Sequence, residues 1–361
     1  MKDLSQLRVA IDTLDEEVLN LLNQRAKIAV EVGQAKKEEG TVSKAEWYRP
    51  EREQAILTSL SQKNEGPLRE HHIKNVFKAI MSSCRALQQP LKVAYLGPAG
   101  SFSHSALQQH FGLEVEAISE ATIPNVFRAL EADQVEFAVV PIENSSNGVV
   151  TETLDQLVNS PVKLIGEIVL PIRHHVWAHF SHTTIKKIYG HPQALAQCQQ
   201  YLSEAHPKAE QIAVNSTSKG AKMLEHHKDA AAIASQLAGE LYQLKCLKQD
   251  VQDLQNNQTR FVVMGKTKIA RTGKDKTSMM VMNIPNEPGA LFRLVEPFHR
   301  FGVNISLPSL RPSKQEAWHY VFYFDVAGHE EDESVHSALE ELKKFALVKV
   351  LGSYPQGSSI Y

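Results

Sequence analysis

A short polar loop near the middle of the chain carries side chains that could bind an anion. The residues Ala138-Val139-Val140 form an apolar run typical of a buried strand, which ends at Pro141. The loop that follows contains Glu143, Asn144, Ser145 and Gly148. Backbone N–H groups and short polar side chains at the carboxyl end of a strand can bind a carboxylate or a phosphate. A solvated turn, in which Gly148 takes a positive φ, is the alternative interpretation.

Three cationic side chains near the N-terminus could bind a second small anion. Arg25 interrupts an apolar stripe typical of an amphipathic helix, and an unpaired buried guanidinium costs on the order of several kcal/mol. Lys36 lies eleven residues later, within roughly 20° of the same helix face. Arg8 precedes Arg25 by seventeen residues, or about 25 Å along the helix. One ligand could contact all three only if a second, antiparallel copy supplied Arg8, so the spacing predicts a dimer with shared sites.

The composition limits the classes to which the chain can belong. Its 361 residues predict two or three domains, and 42% hydrophobic and 22% charged residues are ordinary for a globular protein. A net charge of −2 gives no indication of a nucleic-acid partner or a membrane surface. Three cysteines without a CxxC motif argue against a disulfide framework and a zinc site. Because we find neither a signal-peptide core nor an apolar run of about 18 residues, the sequence predicts a cytoplasmic protein.

Residues 1–90 show the apolar periodicity of a helical module. Apolar residues recur at alternating spacings of three and four from Leu4 to Ala35, which predicts a long helix that can pair with another. A second helix is predicted to start near Arg49, with Pro50 in its first turn. A third is predicted from about residue 67 to residue 88. Its predicted inner face contains Ile73, Val76, Phe77, Ile80, Cys84 and Leu87.

Residues 91–268 alternate between strand and helix patterns, which is typical of an α/β domain with parallel sheets. Strands are predicted over residues 91–96, 114–118, 137–140, 163–170, 186–189, 211–214, 230–233 and 260–264. The turn at Gly97–His104 matches neither a P-loop nor a dinucleotide-binding fingerprint. His174 and His175 are interpreted as a strand-end pair rather than a metal site, because no third ligand stands at a suitable spacing.

Residues 277–361 show the pattern of a small α+β unit. Strands are predicted over residues 277–284, 303–310, 318–325 and 347–351, and helices over residues 290–301 and 330–344. The resulting order, βαββαβ, is that of a ferredoxin-like fold.

The helical module resembles the all-helical chorismate mutase domain over residues 4–89. The resemblance rests on Leu7-Arg8, Leu14-Asp15-Glu16, Ala29-Val30-Glu31-Val32-Gly33-Gln34-Ala35-Lys36 and Arg52-Glu53. It implies that Arg8 of a partner chain, Arg25 and Lys36 hold the carboxylates and the ether oxygen of chorismate. A pericyclic rearrangement needs no nucleophile, only a grip on the compact conformer and donors to the oxygen where negative charge grows.

The same resemblance assigns further residues of the helical module to the substrate. Glu53 is implied to bind the hydroxyl of chorismate, and Gln88 its ether oxygen. Arg49 and Cys84 occupy two more substrate-binding positions, where one relative has aspartate and serine respectively. With Lys36, Glu53 is the residue implied to act in catalysis.

The α/β module resembles the prephenate dehydratase domain through five motifs in the right order. They are Leu96-Gly97-Pro98 with Gly100-Ser101-Phe102-Ser103-His104, Val140-Pro141-Ile142-Glu143-Asn144-Ser145, His191-Pro192-Gln193, Ser216-Thr217-Ser218 and Asn257-Gln258-Thr259-Arg260-Phe261. The resemblance implies two α/β lobes similar to type 2 periplasmic binding proteins, with the site in the cleft. The chain is expected to cross between lobes near Leu170 and Leu247. Gly190 departs from the family, where many relatives have serine.

This resemblance implies the conversion of prephenate to phenylpyruvate by loss of carboxylate and the ring hydroxyl. Thr259 is implied to assist the leaving hydroxyl by hydrogen bonding more than by full proton donation, and Arg260 to pair with a carboxylate. Glu143 could act as an acid only if burial raised its pKa. The other substrate-binding candidates are Ser101, Asn144, Ser145, Gly148, His191, Gln193 and Phe261. Whether His104 contacts the substrate stays open.

The C-terminal unit resembles ACT domains through Pro288-Gly289-Ala290-Leu291-Phe292 at its first helix. The resemblance implies feedback binding of phenylalanine by Gly289, Ala290, Leu291, Ser309 and Arg311. The second effector motif of the family, Glu-Ser-Arg-Pro or close to it, is here Ser309-Leu310-Arg311-Pro312. Its carboxylate is missing and Leu310 is bulky. Ordinary control, altered control and a domain that only assembles the oligomer are therefore all open.

Together the resemblances imply a bifunctional chorismate mutase–prephenate dehydratase of phenylalanine biosynthesis, with an all-α domain, a two-lobed α/β domain and a ferredoxin-like α+β domain. Neither reaction requires a metal or an organic cofactor. The expected partners are chorismate, prephenate, phenylalanine as effector, and further copies of the chain in a homodimer or larger homo-oligomer. Two alternatives remain. One is a ligand-sensing protein without turnover, against which the intact segment 257–261 and the helix cations argue. The other is a dehydratase with a degenerate mutase domain.

Overall fold

The computed structural model describes residues 3–38, 47–180, 184–284, 287–312 and 320–357. The chain forms two compact units. The first comprises Met1–Lys92 and Phe111–Glu116, and the second comprises Val93–His110 and Ala117–Tyr361. Among the helices in the described ranges, none combines the length and apolarity needed to cross a lipid bilayer.

Three helices form most of the first unit: α1 (Leu4–Glu38), α2 (Pro50–Gln62) and α3 (Glu70–Gln88). They confirm the predicted all-α domain. The sequence of α1 has no proline and a single glycine, Gly33, which allows one continuous helix of 35 residues. A Cβ at Gly33 would lie 3.1 Å from Cβ of Gln88, so the glycine permits a close crossing of α1 and α3. The third helix starts later than predicted, where Nδ1 of His72 accepts a hydrogen bond from the N–H of Arg69.

The apolar stripe of α1 is exposed in a single chain. Gly33 is the buried residue of this helix, whereas Leu21 keeps 63% of its surface exposed. The other exposed members of the stripe are Leu4, Leu7, Ile11, Leu14, Val18, Ile28 and Val32. An uncovered stripe of this length is typical of a surface that pairs with another helix.

A mixed sheet organises the first lobe of the α/β region. In chain order, its elements are β1 (Lys92–Leu96), α4 (Phe102–Phe111), β2 (Glu116–Glu120), α5 (Ile123–Glu131), β3 (Phe137–Asn144), β4 (Gly148–Val149), α6 (Thr151–Asn159) and β5 (Lys163–Pro171). The chain then enters a second lobe and later returns to this sheet as a further strand.

A second mixed sheet organises the second lobe. Its elements are β6 (His175–Ala178), β7 (Lys187–Gly190), α7 (Pro192–Gln197), α8 (Gln199–Ala205), β8 (Glu210–Ala213), α9 (Thr217–Met223), a 3₁₀ turn (Leu224–His226), β9 (Ala230–Ala234), α10 (Gln236–Leu241) and β10 (Lys245–Lys248). The returning strand is β11 (Gln258–Gly265). The sequence did not predict β4, β6 or β10, which have only two to four residues each.

The prediction of parallel sheets was only partly correct. The first sheet has the order β2-β1-β3-β11-β5, with β4 beside β3, and the second has the order β10-β6-β9-β7-β8. Strands β1 and β3 are parallel, but β11 is antiparallel to both of its neighbours. In the second sheet, β7 is parallel to β8 and β9, and β6 is antiparallel to β9 and β10. Strands β11 and β6 follow crossings between the lobes rather than βα units, so the right-handed crossover that makes neighbours parallel is absent there.

A third, antiparallel sheet forms the C-terminal part of the second unit. Its elements are β12 (Asp275–Met282), α11 (Ala290–Arg300), β13 (Ile305–Pro312), β14 (Tyr320–Ala327), α12 (Glu333–Lys343) and β15 (Leu347–Pro355). The strand order is β13-β14-β12-β15. The predicted βαββαβ order is confirmed, although Trp318, the predicted start of the third strand, lies outside the described residues. Leu294, Phe298 and Leu339 of the two helices pack on Met279 and Phe324 of the sheet.

The first and third sheets share one hydrophobic core. Met280, Tyr323 and Leu351 of the third sheet pack in the same cluster as Leu164 and Val262 of the first. A Cβ at Gly352 would lie only 2.0 Å from the carbonyl oxygen of Leu164, so this glycine allows β15 to approach β5 closely. The C-terminal sheet is therefore packed directly on the sheet that carries Asn144 and Thr259.

Candidate functional site

The first unit brings Glu53 of α2 close to Arg25 of α1 and to Arg85 of α3. Arg85 forms an ion pair with Glu53 and also donates to the backbone carbonyl of Phe111. Its guanidinium lies 5.0 Å from the ring centroid of Tyr48. Burial raises the pKa of Glu53, although the charges of Arg85, Lys78 and Arg25 oppose that shift. The result is a partly buried carboxylate surrounded by cations.

Sequence reasoning missed Arg85, although a signal for it existed. Arg85 follows Cys84 in α3, and only 6% of its surface is exposed. A cation inside the buried part of an amphipathic helix requires an anion nearby, which is the argument that identified Arg25. The anion next to Arg85 is a carboxylate of the protein itself, Glu53.

The other candidates of the first unit lie at different depths. Cys84 is buried, whereas Gln88 is half-buried and lies against Gly33. The ammonium of Lys36 lies 5.3 Å from the ring centroid of Trp47. Arg8 and Arg49 are exposed.

Arg8 is separated from the other cations by the length of α1. This helix is continuous from Leu4 to Glu38, so the seventeen residues between Arg8 and Arg25 span about 25 Å. One chain therefore does not bring Arg8 to Arg25 and Glu53.

In the second unit, Asn144 connects the strands β3 and β11. Its Nδ2 donates to Oγ1 of Thr259 at 2.8 Å and to Oδ1 of Asn257 at 3.0 Å. Its Oδ1 accepts from the backbone N–H groups of Ser146 and Asn147 at 3.0 and 3.1 Å. This second pair of bonds is an Asx-type turn, which fixes the loop after β3. Asn144 thereby orients both the loop and the hydroxyl of Thr259.

Ser145 and Gly148 complete this loop. The Ser145 hydroxyl donates to Oδ1 of Asn257 at 3.2 Å and accepts from the N–H of Gln258 at 2.9 Å. Gly148 has a φ of +75°, and no atom lies within 4 Å of where its Cβ would be. The positive φ agrees with the turn interpretation, while the open space beside Gly148 leaves room for a ligand.

A cavity of about 260 Å³ lies between the loop after β3, helix α7 and the segment that leads into β11. Its lining residues are Ser146, Asn147, Gln193, Ala196, Gln197, Gln252, Asp253, Leu254 and Asn257. Most of these side chains are uncharged amides, and no lysine or arginine is among the described residues that line it. Amide groups of this kind can donate hydrogen bonds to a carboxylate, while Asp253 contributes negative charge to the same lining.

Two histidines support the cavity wall. His191 caps α7, where its Nδ1 accepts from the N–H of Gln193 at 3.3 Å. His174 lies behind the wall, with its ring Nε2 3.0 Å from Oε1 of Gln197, and its backbone N–H donates to Oε1 of Gln252 at 2.9 Å. Burial lowers the pKa of His174 to about 4, so the ring is neutral and Nε2–H donates to Gln197. Within the described ranges, no group of three or more His, Cys, Asp or Glu side chains could hold a metal ion.

Ser101 and His104 lie in the turn after β1. The Ser101 hydroxyl donates to the carbonyl of Leu96 at 3.0 Å and accepts from the N–H of His104 at 3.3 Å. The His104 ring stacks on Tyr95 with 4.8 Å between centroids, and burial lowers its pKa. Both side chains therefore stabilise the turn, and neither lines the cavity described above.

Arg260 points away from Thr259, because successive side chains of a strand lie on opposite faces. Its Nε donates to Glu167 at 2.7 Å, its Nη2 donates to the Tyr354 hydroxyl at 3.0 Å, and its Nη1 pairs with Asp325. Only 7% of the Arg260 surface is exposed, and the next residue, Phe261, is buried in the core. Neither residue lines the cavity, and the same is true of Thr259 and Asn144, which adjoin it through the bond of Asn144 to Asn257.

The carboxyl groups around Arg260 differ in pKa. Burial raises the pKa of Glu143, which lies 3.9 Å from Nη1 of Arg260, and this cation only partly opposes the shift. Burial also acts to raise the pKa of Glu167, but the charges of Arg260 and Lys276 outweigh it and hold that pKa below its ordinary value. Glu143 pairs in register with Arg260 across β3 and β11, as Asn144 pairs with Thr259. The two residues after Ile142 therefore face opposite sides of the first sheet.

The effector candidates of the third sheet fall into two places. Gly289 has a φ of +83° and precedes Ala290 at the start of α11, where Leu291 is exposed. Arg311 donates to the carbonyl of Thr151 at 2.7 Å and lies 3.4 Å from Asp155, both in α6. Ser309 is half-buried and pairs in register with Tyr323 of β14.

Comparisons with known proteins agree along the whole chain. Family models for chorismate mutase type II, prephenate dehydratase and the ACT domain match residues 7–89, 93–269 and 278–344. The bifunctional chorismate mutase/prephenate dehydratase of Pseudomonas aeruginosa is 42% identical over 359 residues, which covers 98% of each chain. That of Aquifex aeolicus is 40% identical over 364 residues, or 99% of each chain. A prephenate dehydratase from Arthrobacter aurescens, solved in complex with L-Phe, matches 73% of this chain and 90% of its own with a TM-score of 0.69 and 32% identity.

Proposed function

Because this chain belongs to the family of bifunctional chorismate mutase/prephenate dehydratases, we propose which of its residues perform each of the two reactions. The enzyme rearranges chorismate to prephenate and converts prephenate to phenylpyruvate. The first unit contains the residues for the rearrangement. The cleft between the two α/β lobes contains the residues for the second reaction.

The mutase site is shared between two copies of the chain. The uncovered apolar stripe of α1 pairs with the same stripe of a second, antiparallel copy, and this pairing brings Arg8 of one chain to Arg25 and Lys36 of the other. The separation of about 25 Å between Arg8 and Arg25 along one straight helix is the observation that carries this proposal. The three cations then fix the dianion of chorismate in its compact conformer.

Glu53 and Gln88 bind the oxygens of chorismate that the cations do not reach. Glu53 accepts from the substrate hydroxyl, and its ion pair with Arg85 keeps the carboxylate in one orientation. Gln88 and Lys36 donate to the ether oxygen, where negative charge grows as the carbon–oxygen bond breaks. Cys84 lies in the wall of this site, and the exposed Arg49 lies at the start of α2 beside it.

In the dehydratase site, Thr259 donates a hydrogen bond to the hydroxyl that leaves prephenate. The 2.8 Å bond from Nδ2 of Asn144 to Oγ1 of Thr259 carries this proposal. Because that oxygen accepts from Asn144, its own proton is directed elsewhere and is available to the substrate. In the reaction, the bond to the ring carboxylate breaks to release CO₂, its electron pair enters the ring, and the C–O bond breaks to release the hydroxyl.

The residues that line the cavity next to Asn144 bind the substrate and exclude water. Gln193 and Asn147 donate to its carboxylates, and the open space beside Gly148 admits the substrate to the N–H groups of the loop. Ser145, Ser101 and His191 orient this wall through the hydrogen bonds described above.

The ACT domain binds phenylalanine as a feedback effector. The solved relative from Arthrobacter aurescens contains L-Phe, and Gly289 and Leu291 are exposed at the start of α11, with no atom within 4 Å of where a Cβ of Gly289 would be, which leaves room for a ligand at this helix N-terminus. Ser309 and Arg311 occupy the second effector segment. Isothermal titration of the full chain with phenylalanine tests this: saturable binding with inhibition supports it, and absence of binding contradicts it.

The two-site assignment is tested by incubating the protein with chorismate and following prephenate and then phenylpyruvate by ultraviolet absorbance. Thr259→Ala is expected to abolish the second product while the first still forms. Loss of both activities in a folded protein would contradict separate sites.

A further inference from the structure

Thr259 and Arg260 are neighbours in β11, but they belong to different surroundings. Thr259 bonds to Asn144 on the side of the cleft loop, whereas Arg260 lies in a charged cluster on the other side of the same strand. We call the set Arg260, Glu167, Lys276, Asp325 and Tyr354 the Arg260 cluster. It lies where the first sheet meets the ACT domain.

The Arg260 cluster uses every nitrogen of the guanidinium. Nε donates a hydrogen bond to Glu167 of β5, in the dehydratase domain, and Nη2 donates one to Tyr354 of the ACT domain, while Nη1 forms an ion pair with Asp325 of the ACT domain. A planar fork with three fixed partners has one permitted orientation, which a lysine ammonium cannot reproduce. Arg260 therefore fixes its own backbone in β11 relative to β5 and to the ACT sheet.

Inside the protein the cluster opposes two cations to two carboxylates, and a third carboxylate, Glu143, lies 3.9 Å from Nη1 of Arg260. Lys276 of the ACT domain bonds to Glu167 at 2.8 Å, so Arg260 and Lys276 face the carboxylates of Glu167 and Asp325, each of which has 1% of its side chain exposed. The hydroxyl of Ser278 bonds to Asp325 at 2.5 Å and to Tyr354 at 2.6 Å. Each nitrogen of this guanidinium already has a partner in the protein and only 7% of the Arg260 surface is exposed, so a substrate carboxylate would have to displace one of these partners.

A second contact of the ACT domain lies close to Gly148, at the end of the loop that follows β3. Arg311 bonds to the carbonyl of Thr151 and lies near Asp155, in the helix that follows Gly148. The segment from Asn144 to Gly148 is thus flanked on one side by the strand that holds Arg260 and on the other by a helix that holds Arg311.

We propose that Arg260 is a positioning residue of the dehydratase reaction, which sets the location of Thr259 by fixing β11 to the ACT domain, and that it is not a ligand of prephenate. This inference rests on the proposed role of Thr259. The rate of the dehydratase reaction then depends on how the ACT domain packs against the first sheet, even when no effector is bound. The expectation that Arg260 binds a substrate carboxylate is the competing assignment.

The test uses ACT-domain partners of Arg260, because these side chains are on the far side of β11 from the cleft. Asp325→Asn and Tyr354→Phe in the full chain are expected to lower dehydratase kcat by about tenfold or more, with KM within about twofold of the wild type. Mutase kcat should not change. Arg260→Lys should show the same pattern, because the charge alone does not restore the fork.

Lys163→Met is the matched control. Lys163 donates to the carbonyl of Val350 at 3.0 Å, so it also joins the dehydratase sheet to the ACT domain. It lies opposite Gly265, six residues from Thr259 along β11, or about 20 Å away. Its removal should leave dehydratase kcat unchanged, which separates positioning of Thr259 from general weakening of the interface.

The competing assignment predicts a different result. If Asp325→Asn and Tyr354→Phe keep full dehydratase kcat while Arg260→Lys raises KM for prephenate by tenfold or more, Arg260 is a substrate ligand and the proposal is overturned. If Asp325→Asn fails to fold, Tyr354→Phe still decides between the two assignments, because it removes only one hydroxyl. Thr259→Ala is assayed in parallel to test the proposed function separately. Full dehydratase activity in that variant would contradict the role of Thr259, independently of the result for Arg260.

Discussion

The mutase unit and the dehydratase domain each contain a buried arginine that forms an ion pair with a carboxylate. The two differ in whether that carboxylate is itself a proposed ligand of the substrate. Arg85 pairs with Glu53, itself a candidate to bind chorismate, and 24% of the Glu53 side chain remains exposed. Arg260 pairs with Glu167 and Asp325, which are buried and face away from the cleft. The type of residue indicates in both cases that an anion is required. The partners seen in the structure separate the two cases: Glu53 is a partly exposed carboxylate proposed to bind substrate, whereas Glu167 and Asp325 are buried where two domains meet.

The two regions also differ in how much of the site one chain supplies. The residues proposed for dehydration lie around one cleft of the second unit. Those proposed for the mutase are distributed along α1, whose apolar stripe is uncovered. The mutase should therefore depend on association of two chains, and the dehydratase on the packing within one.

The largest effect is expected from Thr259→Ala. Dehydratase kcat should fall on the order of a hundredfold or more, because hydrogen bonding to the leaving hydroxyl is lost. Mutase kcat, measured on chorismate by absorbance, should not change. Thr122→Ala is the control: Thr122 caps α5 by accepting from the N–H of Asn125, so its loss costs about 1 kcal/mol of stability but no activity. Parallel loss of both activities in folded Thr259→Ala would erase the contrast between the two sites.

Arg8→Ala and Arg25→Ala should each reduce mutase kcat by about a hundredfold, because each removes a cation from the dianion. Co-refolding the two variants should restore about one quarter of the wild-type sites, since half of the dimers are mixed and each mixed dimer has one intact site. The measurement is mutase activity against mixing ratio. A mixture that stays as inactive as its components would show that one chain supplies the whole site.

Arg85→Met should lower the free energy of unfolding of the first unit by about 3 kcal/mol, because the Glu53 carboxylate and the Phe111 carbonyl lose their buried donor. Urea unfolding followed by circular dichroism measures this. Lys74→Met breaks only a partly exposed i,i+4 pair with Glu70 and should change stability by less than about 0.5 kcal/mol. An equally small effect of Arg85→Met would mean that Glu53 does not depend on Arg85.

The smallest expected effect is a pH dependence of the second unit. The pKa of His174 is lowered from 6.5 to about 4 by burial, so the unfolded chain binds a proton that the folded chain does not. The stability is complete above pH 6.5 and decreases as the pH falls, by about 2 kcal/mol at pH 5. Urea unfolding between pH 5 and 7.5 should show this slope in the wild type and in the exposed-site control His226→Gln. The slope should be smaller in His174→Gln, and the part that remains reflects His104, His175, His191 and His206, whose pKa values burial also lowers.

The sequence predicted the local elements of both regions better than their surroundings. Periodicity and turn signals located α1, the strands β3 and β11, and the βαββαβ unit, because these patterns depend on neighbouring residues. The antiparallel direction of β11 was not predictable in the same way. It depends on the chain crossing to the second lobe and back, which no local pattern encodes.

The partners of the candidate site residues were the least predictable part. Alternation along β11 requires Thr259 and Arg260 to face opposite sides, but the sequence does not state which side is the cleft. Glu167 and Asp325 lie 93 and 65 residues from Arg260 and belong to different domains, so no spacing rule identifies them. Arg85 could have been found by the argument used for Arg25, because it too is a cation next to the apolar face of an amphipathic helix, and it is buried in the structure.

The common core of the first and third sheets has a consequence for how the enzyme unfolds. Met280, Tyr323 and Leu351 contribute to the same apolar cluster as the dehydratase strands, and Gly352 brings the two backbones within direct contact. Neither sheet can lose its side of that cluster without exposing the other to water. Heating should therefore melt the catalytic cleft and the ACT domain in one cooperative step, visible as a single calorimetric peak, and an ACT domain cut away at Thr272 should be insoluble alone.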